Sequence, residues 1–413
     1  MKVSIITAYF EPEIASCTHL LSDLCRDFVS YGAEVTVITG IPSRGIDEKT
    51  RIEYMDRLNE NIVPNLTVKR VGFKSGEKAN FVFRGLRYLY QTYILYRNAK
   101  RIETDIYLIV STPPFLGIAG AVLSKRVPTV YNLQDIFPDS LINVEKGTQG
   151  SLFIGLLHRM EQIIYKKNTH LLTISEEMEK TLLLRSVPED KITVVYNWTD
   201  ISKIHPVNRK DNILFERFSL PLDRFYISYA GNIGLAQNLG TVIDGAEILS
   251  DSHSGIHFVI IGDGSWKREM LDQIQKKKLK NISVFPLQPV EEVEHVYSLG
   301  DVEIVSIGKN VSKSALPSKT WNIMAAGRPI LCEVDTGSEL NLIIEENQCG
   351  ICIEPGDSIG FAQAVIQLYE NKEQVQYMGT NGRCFVEQHL TRQTATKEYF
   401  DCLQKVVAKN KGE

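Results

Sequence analysis

Ser318 and Lys319 follow Pro317 in the stretch 312–331, SKSALPSKTWNIMAAGRPIL. Proline suits the first turn of a helix, where its missing N–H costs nothing. Gly327 can take the left-handed conformation that closes one. Trp321, Met324 and Ala325 fall at i, i+3 and i+4 between them, so one face packs inward and Trp321 reads as core. The chemistry offered by the start of such a helix is anion binding, through unpaired backbone N–H groups, the Ser318 hydroxyl and the Lys319 ammonium. A solvated surface lysine is the plainer alternative. Asp135, in a loop that follows an apolar run, is placed to orient a hydroxyl or take its proton, or simply to cap a turn. Asp263, between Gly262 and Gly264, is a turn former that positions its neighbours. Glu339, behind Thr336-Gly337-Ser338, is either a ligand-binding carboxylate or a first-turn acid favoured by the helix dipole.

The elements that must position these residues alternate strand and helix twice over. Residues 3–7, 34–39, 66–71, 107–110, 129–133, 170–174 and 192–196 read as strands of a first sheet. Helices separate most of them, and Gly32 stops the first. Such β-loop-α-β units build a doubly wound parallel sheet, whose ligands bind at the C-terminal ends of strands. That places the loop 9–16 and the loop Gln134-Asp135-Ile136-Phe137-Pro138-Asp139-Ser140 at ligand ends. Residues 197–222, polar and irregular, suit a linker. Strands near 225–230, 257–261, 282–285, 302–306, 329–332 and 351–353 form a second sheet. Gly231-Asn232-Ile233-Gly234 and Gly262-Asp263-Gly264 are its strand-to-helix turns. From residue 359 onward the pattern is helical, with breaks near Gly379 and Leu390.

A chain of 413 residues is too long for one ordinary core, so two α/β domains are expected. The net charge of −4 argues against general nucleic-acid binding. Residues 69–101 nevertheless hold nine Lys/Arg against the single acid Glu77, a local balance of +8, interleaved with seven aromatics. A basic, aromatic, amphipathic stretch of this kind is expected to lie on an anionic membrane surface; a surface helix with its aromatics in the core is the alternative. Seven scattered cysteines suggest a reducing compartment. The CxxC at Cys349 and Cys352 leads into a strand rather than starting a helix, which argues against a redox role. The apolar N-terminal run ends at Glu11 without a small-residue cleavage pattern, so no secretory leader is expected. The uncharged run 106–124 is divided by Pro113-Pro114 and reads as strand, turn and helix rather than a membrane span.

Several of these pieces, in order, resemble a known group. Tyr229-Ala230-Gly231-Asn232-Ile233-Gly234, Ile260-Ile261-Gly262-Asp263-Gly264, Leu316-Pro317-Ser318-Lys319, Met324-Ala325-Ala326-Gly327-Arg328-Pro329-Ile330 and Gly356-Asp357 resemble the nucleotide-sugar-binding domain of retaining glycosyltransferase family four. Thr173-Ile174-Ser175-Glu176 fits as well. The loop 134–140 is similar to that of a bacterial surface-polysaccharide, fucosaminyltransferase-like subgroup. The resemblance implies a GT-B fold, two Rossmann-like doubly wound parallel-sheet domains facing a central cleft. Its parts would be an acceptor-binding domain 1–200, a linker 201–222, a nucleotide-sugar-binding domain 223–390, and a helix 391–413 packing back on the first domain. It implies donor contacts from Gly231, Asn232, Gly234, Asp263, Ser318, Lys319, Asn322 and Glu339, and an acceptor side at Ala15, Ser16, Gln134 and Asp135. Lys319 and Asp135 would be the catalytic pair.

Two departures stand out. Family members commonly carry two glutamates seven residues apart, where this chain has Ser314 and Asn322. Asn232 and Asn238 stand where basic residues are usual, so Lys319 is left to supply much of the charge facing a phosphate. The function expected is retaining transfer of an N-acetylated hexosamine or deoxyhexosamine from a UDP-sugar to a polyprenyl-diphosphate-linked acceptor, on the cytoplasmic face of the plasma membrane. No cofactor or metal is expected, since no Asp-x-Asp motif or tight His/Cys cluster occurs. A GT-B nucleotide-sugar epimerase and a non-catalytic nucleotide-sugar binder are the alternatives.

Overall fold

The computed structural model describes residues 1–13, 18–72, 81–139, 152–309 and 316–412. The chain divides into two compact units, Met1–Asn197 together with Gln393–Glu413, and Trp198–Arg392.

The first unit is built on eight strands: β1 (Lys2–Ile6), β2 (Glu34–Gly40), β3 (Asn59–Val63), β4 (Leu66–Val71), β5 (Ile106–Val110), β6 (Thr129–Asn132), β7 (His170–Thr173) and β8 (Ile192–Val194). Their order is β3-β4-β2-β1-β5-β6-β7-β8. All pairings are parallel except β3 with β4. Central strands such as β5 are buried throughout, as expected of a sheet covered on both faces. The antiparallel edge β3 was not foreseen, because its residues NENIV are polar and alternate only between exposed and half-buried. Helices Thr18–Ser30 and Arg392–Lys411 meet through Phe28 and Phe400, whose ring centroids lie 5.4 Å apart.

The second unit has six parallel strands: β9 (Phe225–Asn232), β10 (Ile256–Asp263), β11 (Ile282–Phe285), β12 (Val302–Ser306), β13 (Ile330–Glu333) and β14 (Gly350–Ile353), in the order β11-β10-β9-β12-β13-β14. Ile227, Tyr229, Phe258, Ile260 and Val302 pack with Val242, Ile243 and Phe361 as its core. Each fully buried aliphatic or Phe side chain contributes about 1.5–3 kcal/mol, and the strands' near-continuous Val/Ile runs follow from burial on both faces. The chain order reverses between β9 and β12, which opens a crevice at the C-terminal ends of these strands.

Two expectations are corrected. Residues 201–222 are no linker: Leu214, Phe215 and Leu220 pack on Tyr226, Ala230 and Val259. Asn212 caps the short helix Ile213–Arg217 by accepting from the Leu214 N–H at 3.1 Å. The helix Lys372–His389 also runs through Gly379 without a break. A Cβ there would meet the Gly327 carbonyl oxygen at 2.2 Å, so this glycine permits close packing rather than ending a helix.

Candidate functional site

At the C-terminal end of β9, Gly231 adopts φ +139°, a conformation that side-chain-bearing residues avoid. A Cβ at this position would lie 3.2 Å from the Lys319 Nζ. Lys319 opens the helix Lys319–Ala325 and sends its ammonium back to the β9 turn, 3.7 Å from the centroid of the Tyr229 ring. A cation over an aromatic face is attracted by the ring quadrupole. The Nζ is buried and has no hydrogen-bond partner among the described residues. Burial pushes its pKa down to about 7, opposed by the nearby carboxylate of Glu303. Tyr229 in turn donates its hydroxyl to the Asn232 carbonyl at 2.6 Å, which fixes the ring beneath the ammonium.

Glu303 lies fully buried as the second residue of β12. One carboxylate oxygen accepts from the Ser228 hydroxyl and, at 3.3 Å, from the Gly300 N–H. The other has no partner among the described residues, and burial pushes the pKa up to about 8. A second buried acid, Glu333 at the end of β13, joins three loops. It accepts from Thr241 at 2.8 Å, Ser306 at 2.6 Å, the Gly356 N–H at 2.7 Å and Asn238. Composition and motif reading missed both acids. Their signal was a charged residue inside an otherwise apolar parallel strand, VEIVS and ILCE.

The structure brings Gly231, Asn232, Gly234, Asp263 and Lys319 to one crevice at the ends of β9 and β10. The loop amides are less available than expected. The Ile233 N–H donates to the Asp263 carbonyl at 2.8 Å, and the Gly234 N–H to Gln237 Oε1 at 3.2 Å. The Asn232 side-chain amide donates to the same Gln237 oxygen at 3.0 Å. Asp263 is exposed and accepts from the Gly264 N–H at 2.9 Å, as a turn former does. Lys267, a cation the sequence reading passed over, reaches the Gly262 carbonyl at 3.0 Å and Asp263 at 3.7 Å.

The helix expected from Pro317 begins at Lys319, and Ser318 makes no side-chain cap bond. Asn322 is committed elsewhere: its Oδ1 accepts from Thr199 at 2.7 Å, and its side chain also bonds Tyr297. Trp321 is buried, as expected. Glu339 follows Ser338, which caps the helix Glu339–Glu346. Ser314, Ala15 and Ser16 lie outside the described residues.

In the first unit the loop after β6 is held from several sides. The Gln134 N–H donates to Ser111 Oγ at 2.9 Å, its Oε1 accepts from Asn197 at 3.0 Å, and its Nε2 donates to Asn132 at 3.1 Å. Asp135 is half-buried beside Tyr131, Phe137 and Glu161. Burial, reinforced by the charges of Asp135 and Glu161, raises the Tyr131 hydroxyl well above its usual pKa. Arg185 ties this region down by pairing with both Asp139 and Glu161. Among the described residues, no group of three or more His, Cys, Asp or Glu forms a metal site, and no helix is long and apolar enough to cross a membrane.

Two units of doubly wound, predominantly parallel sheet, each with its crevice at the strand ends, define a GT-B architecture. Sucrose-phosphate synthase of Thermosynechococcus elongatus superposes with a TM-score of 0.79 at 14% identity, covering 99% of each chain. Anabaena Alr3699/HepE in complex with UDP-glucose superposes at 0.73 with 14% identity, covering 98% of this chain and 100% of that one. Residues 211–385 match the family Glycosyl transferases group 1, and residues 19–203 match Glycosyltransferase Family 4. The two matches follow one another along the chain, which is a glycosyltransferase of the hexosyltransferase type. WbjE of Pseudomonas aeruginosa, named as a probable glycosyltransferase, is 22% identical over 85% of this chain and 87% of its own. WcaI of Escherichia coli (strain K12), named "Putative colanic acid biosynthesis glycosyl transferase", is 28% identical over 55% of this chain and 56% of its own.

Proposed function

We propose that the chain moves a sugar, an N-acetylated hexosamine or deoxyhexosamine, from a UDP-sugar to a polyprenyl-diphosphate-linked glycan during surface-polysaccharide assembly, with retention of anomeric configuration and without a metal. The observation that carries this reading is the buried ammonium of Lys319, which has no hydrogen-bond partner among the described residues and lies where a Cβ at Gly231 would crowd it. As the bond from sugar to phosphate breaks, negative charge grows on the leaving diphosphate, and a cation in a dry crevice stabilises that state more than the ground state. Lys319 takes this role, with Lys267 as the neighbouring cation. Because the amides of Ile233 and Gly234 are already engaged, most of the stabilisation falls on side chains. Asn322 is spent on Thr199, so the ribose is held by other groups, with Glu339 the carboxylate offered. Asp135 and Gln134 serve the acceptor side. The UDP-glucose complex of HepE and the colanic acid naming of WcaI support the donor and pathway class. The enzyme works at the inner face of the plasma membrane as a peripheral protein.

Calorimetric titration tests the donor site. UDP binds more tightly than UMP, and Lys319→Ala weakens UDP by about 1.5–3 kcal/mol, the range of a charge-assisted hydrogen bond. Equal affinities of wild type and variant remove Lys319 from the site. An NMR time course with a panel of UDP-sugars then reads the anomer formed, with and without EDTA. Inverted product, or activity lost to chelation and restored by Mg²⁺, overturns the mechanism.

A further inference from the structure

We propose that the second unit carries another binding site, for a phosphorylated small molecule, at the end of its sheet away from Lys319. A groove of about 1070 Å³ opens there. It borders Phe225, Asp301 and Pro329, which stand at the N-terminal starts of β9, β12 and β13. Gly231 lies at the other end of β9, about 20 Å away at the usual rise of a strand, so this is not the crevice that Lys319 faces.

The groove's charges are unevenly balanced. Asp301 is taken by Arg209 at 2.5 Å and Glu387 by Arg383 at 2.6 Å. That leaves Arg224, Arg328 and Lys372 facing the groove against the single acid Asp223, and none of the three cations has an ion pair among the described residues. Arg328 is built in rather than dangling. Its Nη2 donates to the carbonyls of Val207 and Ser298, both at 3.0 Å, while its buried Nε has no partner. A guanidinium held in the groove wall by carbonyls is suited to a phosphate oxygen. Arg224 is supported from behind by the His257 Nδ1 at 3.4 Å, and burial keeps that imidazole neutral by pushing its pKa to about 4. Leu222, Tyr369 and Val375 supply an apolar flank for a ring or alkyl portion.

Cys384, exposed on the groove wall, reports occupancy directly. The rate of its alkylation is followed by peptide mass spectrometry on the full chain, with inorganic pyrophosphate or glucose 1-phosphate added and with free glucose and matched chloride as controls. At a probe concentration about four times Kd the rate falls about fivefold, while the controls leave it unchanged. Arg224→Glu with Lys372→Glu abolishes the protection, and so does Gln376→Glu, a single change at an exposed groove position. Lys319→Ala preserves it, which separates this site from the donor crevice. No protection by either phosphate, protection that survives both the double and the single charge variants, or protection lost in Lys319→Ala overturns the proposal.

Discussion

Lys319 and Glu303 are a cation and an acid that burial pushes toward neutrality from opposite sides, to about 7 and about 8. With no anion beside it, Lys319 is mainly charged below about 7. A bound diphosphate favours the charged form, so binding above that pH takes up a proton. The affinity for UDP-glucose, whose diphosphate does not itself titrate near neutrality, therefore falls as pH rises through 7 by up to about tenfold per unit. Glu303, pushed up to about 8, is itself protonated where Lys319 titrates, so Glu303→Gln leaves this decline essentially in place. Calorimetry across pH 6 to 9 reads both proteins, and a flat profile in the wild type would exclude Lys319 as the diphosphate's cation. Stability carries the complementary sign. The folded-state pKa of Glu303 is raised from its ordinary 4.5, so its contribution is complete below that value and is lost as pH climbs to about 8. Urea midpoints of Glu303→Gln should lack this part of the decline; an identical slope in both proteins would show that the carboxylate does not titrate there.

At the scale of elements, glycines divide what the sequence reveals from what it hides. Gly155, inside the helix Leu152–Lys167, has open space where a Cβ would go, so Gly155→Ala stabilises by up to about 1 kcal/mol through helix propensity. Gly379 is also helical, but a Cβ there strikes the Gly327 backbone, which cannot swing aside. Overpacking outweighs the propensity gain, and Gly379→Ala costs about 1–3 kcal/mol. Urea unfolding of the two variants should move in opposite directions; stabilisation of both would remove the close contact. The same contrast explains what was legible. Strands with Val/Ile runs, and the helix start behind Ser338, were read from local chemistry alone. Gly379 read as a breaker because its reason is a carbonyl from a distant segment. Residues 201–222 read as a linker because their order comes from backbone bonds to Arg209, at 2.9 Å from the Leu222 carbonyl, and from three buried side chains among polar ones. Lys319 was legible from its place after Pro317, whereas the buried acids Glu303 and Glu333 required knowing which strands lie side by side.

At the scale of the whole molecule, the basic stretch 69–101 bears on where the enzyme works. Arg70 leaves that stretch's account: it is buried on β4, paired with Glu60 at 2.7 Å and stacked on Tyr54. Lys74 and Lys78 lie outside the described residues. The helix Phe81–Ala99 buries Thr92, Leu95 and Ala99 against the first unit. Its other face presents Leu89, Tyr90 and Tyr93, which are 44%, 49% and 52% exposed, and Arg97 follows at helical spacing. Lys100 and Arg101 extend it with further exposed charge. Aromatics packed only into the core would not stand out in this way, and Tyr88, which bonds Tyr9 at 3.2 Å, shows the inward alternative on the same helix. An amphipathic face of tyrosine, leucine and basic residues is suited to the interface of an anionic bilayer, where each Lys or Arg contributes about 1 kcal/mol. The enzyme is therefore expected to sediment with anionic vesicles at low salt and to be released at high salt, while neutral vesicles leave it in solution. Arg97→Glu with Lys100→Glu and Arg101→Glu should abolish the anionic binding, and Tyr90→Ser with Tyr93→Ser should weaken it at every salt concentration. Both sets of positions are exposed, so folding is retained. Binding indifferent to lipid charge, or unchanged in the charge-reversed variant, would place the anchor elsewhere in the chain.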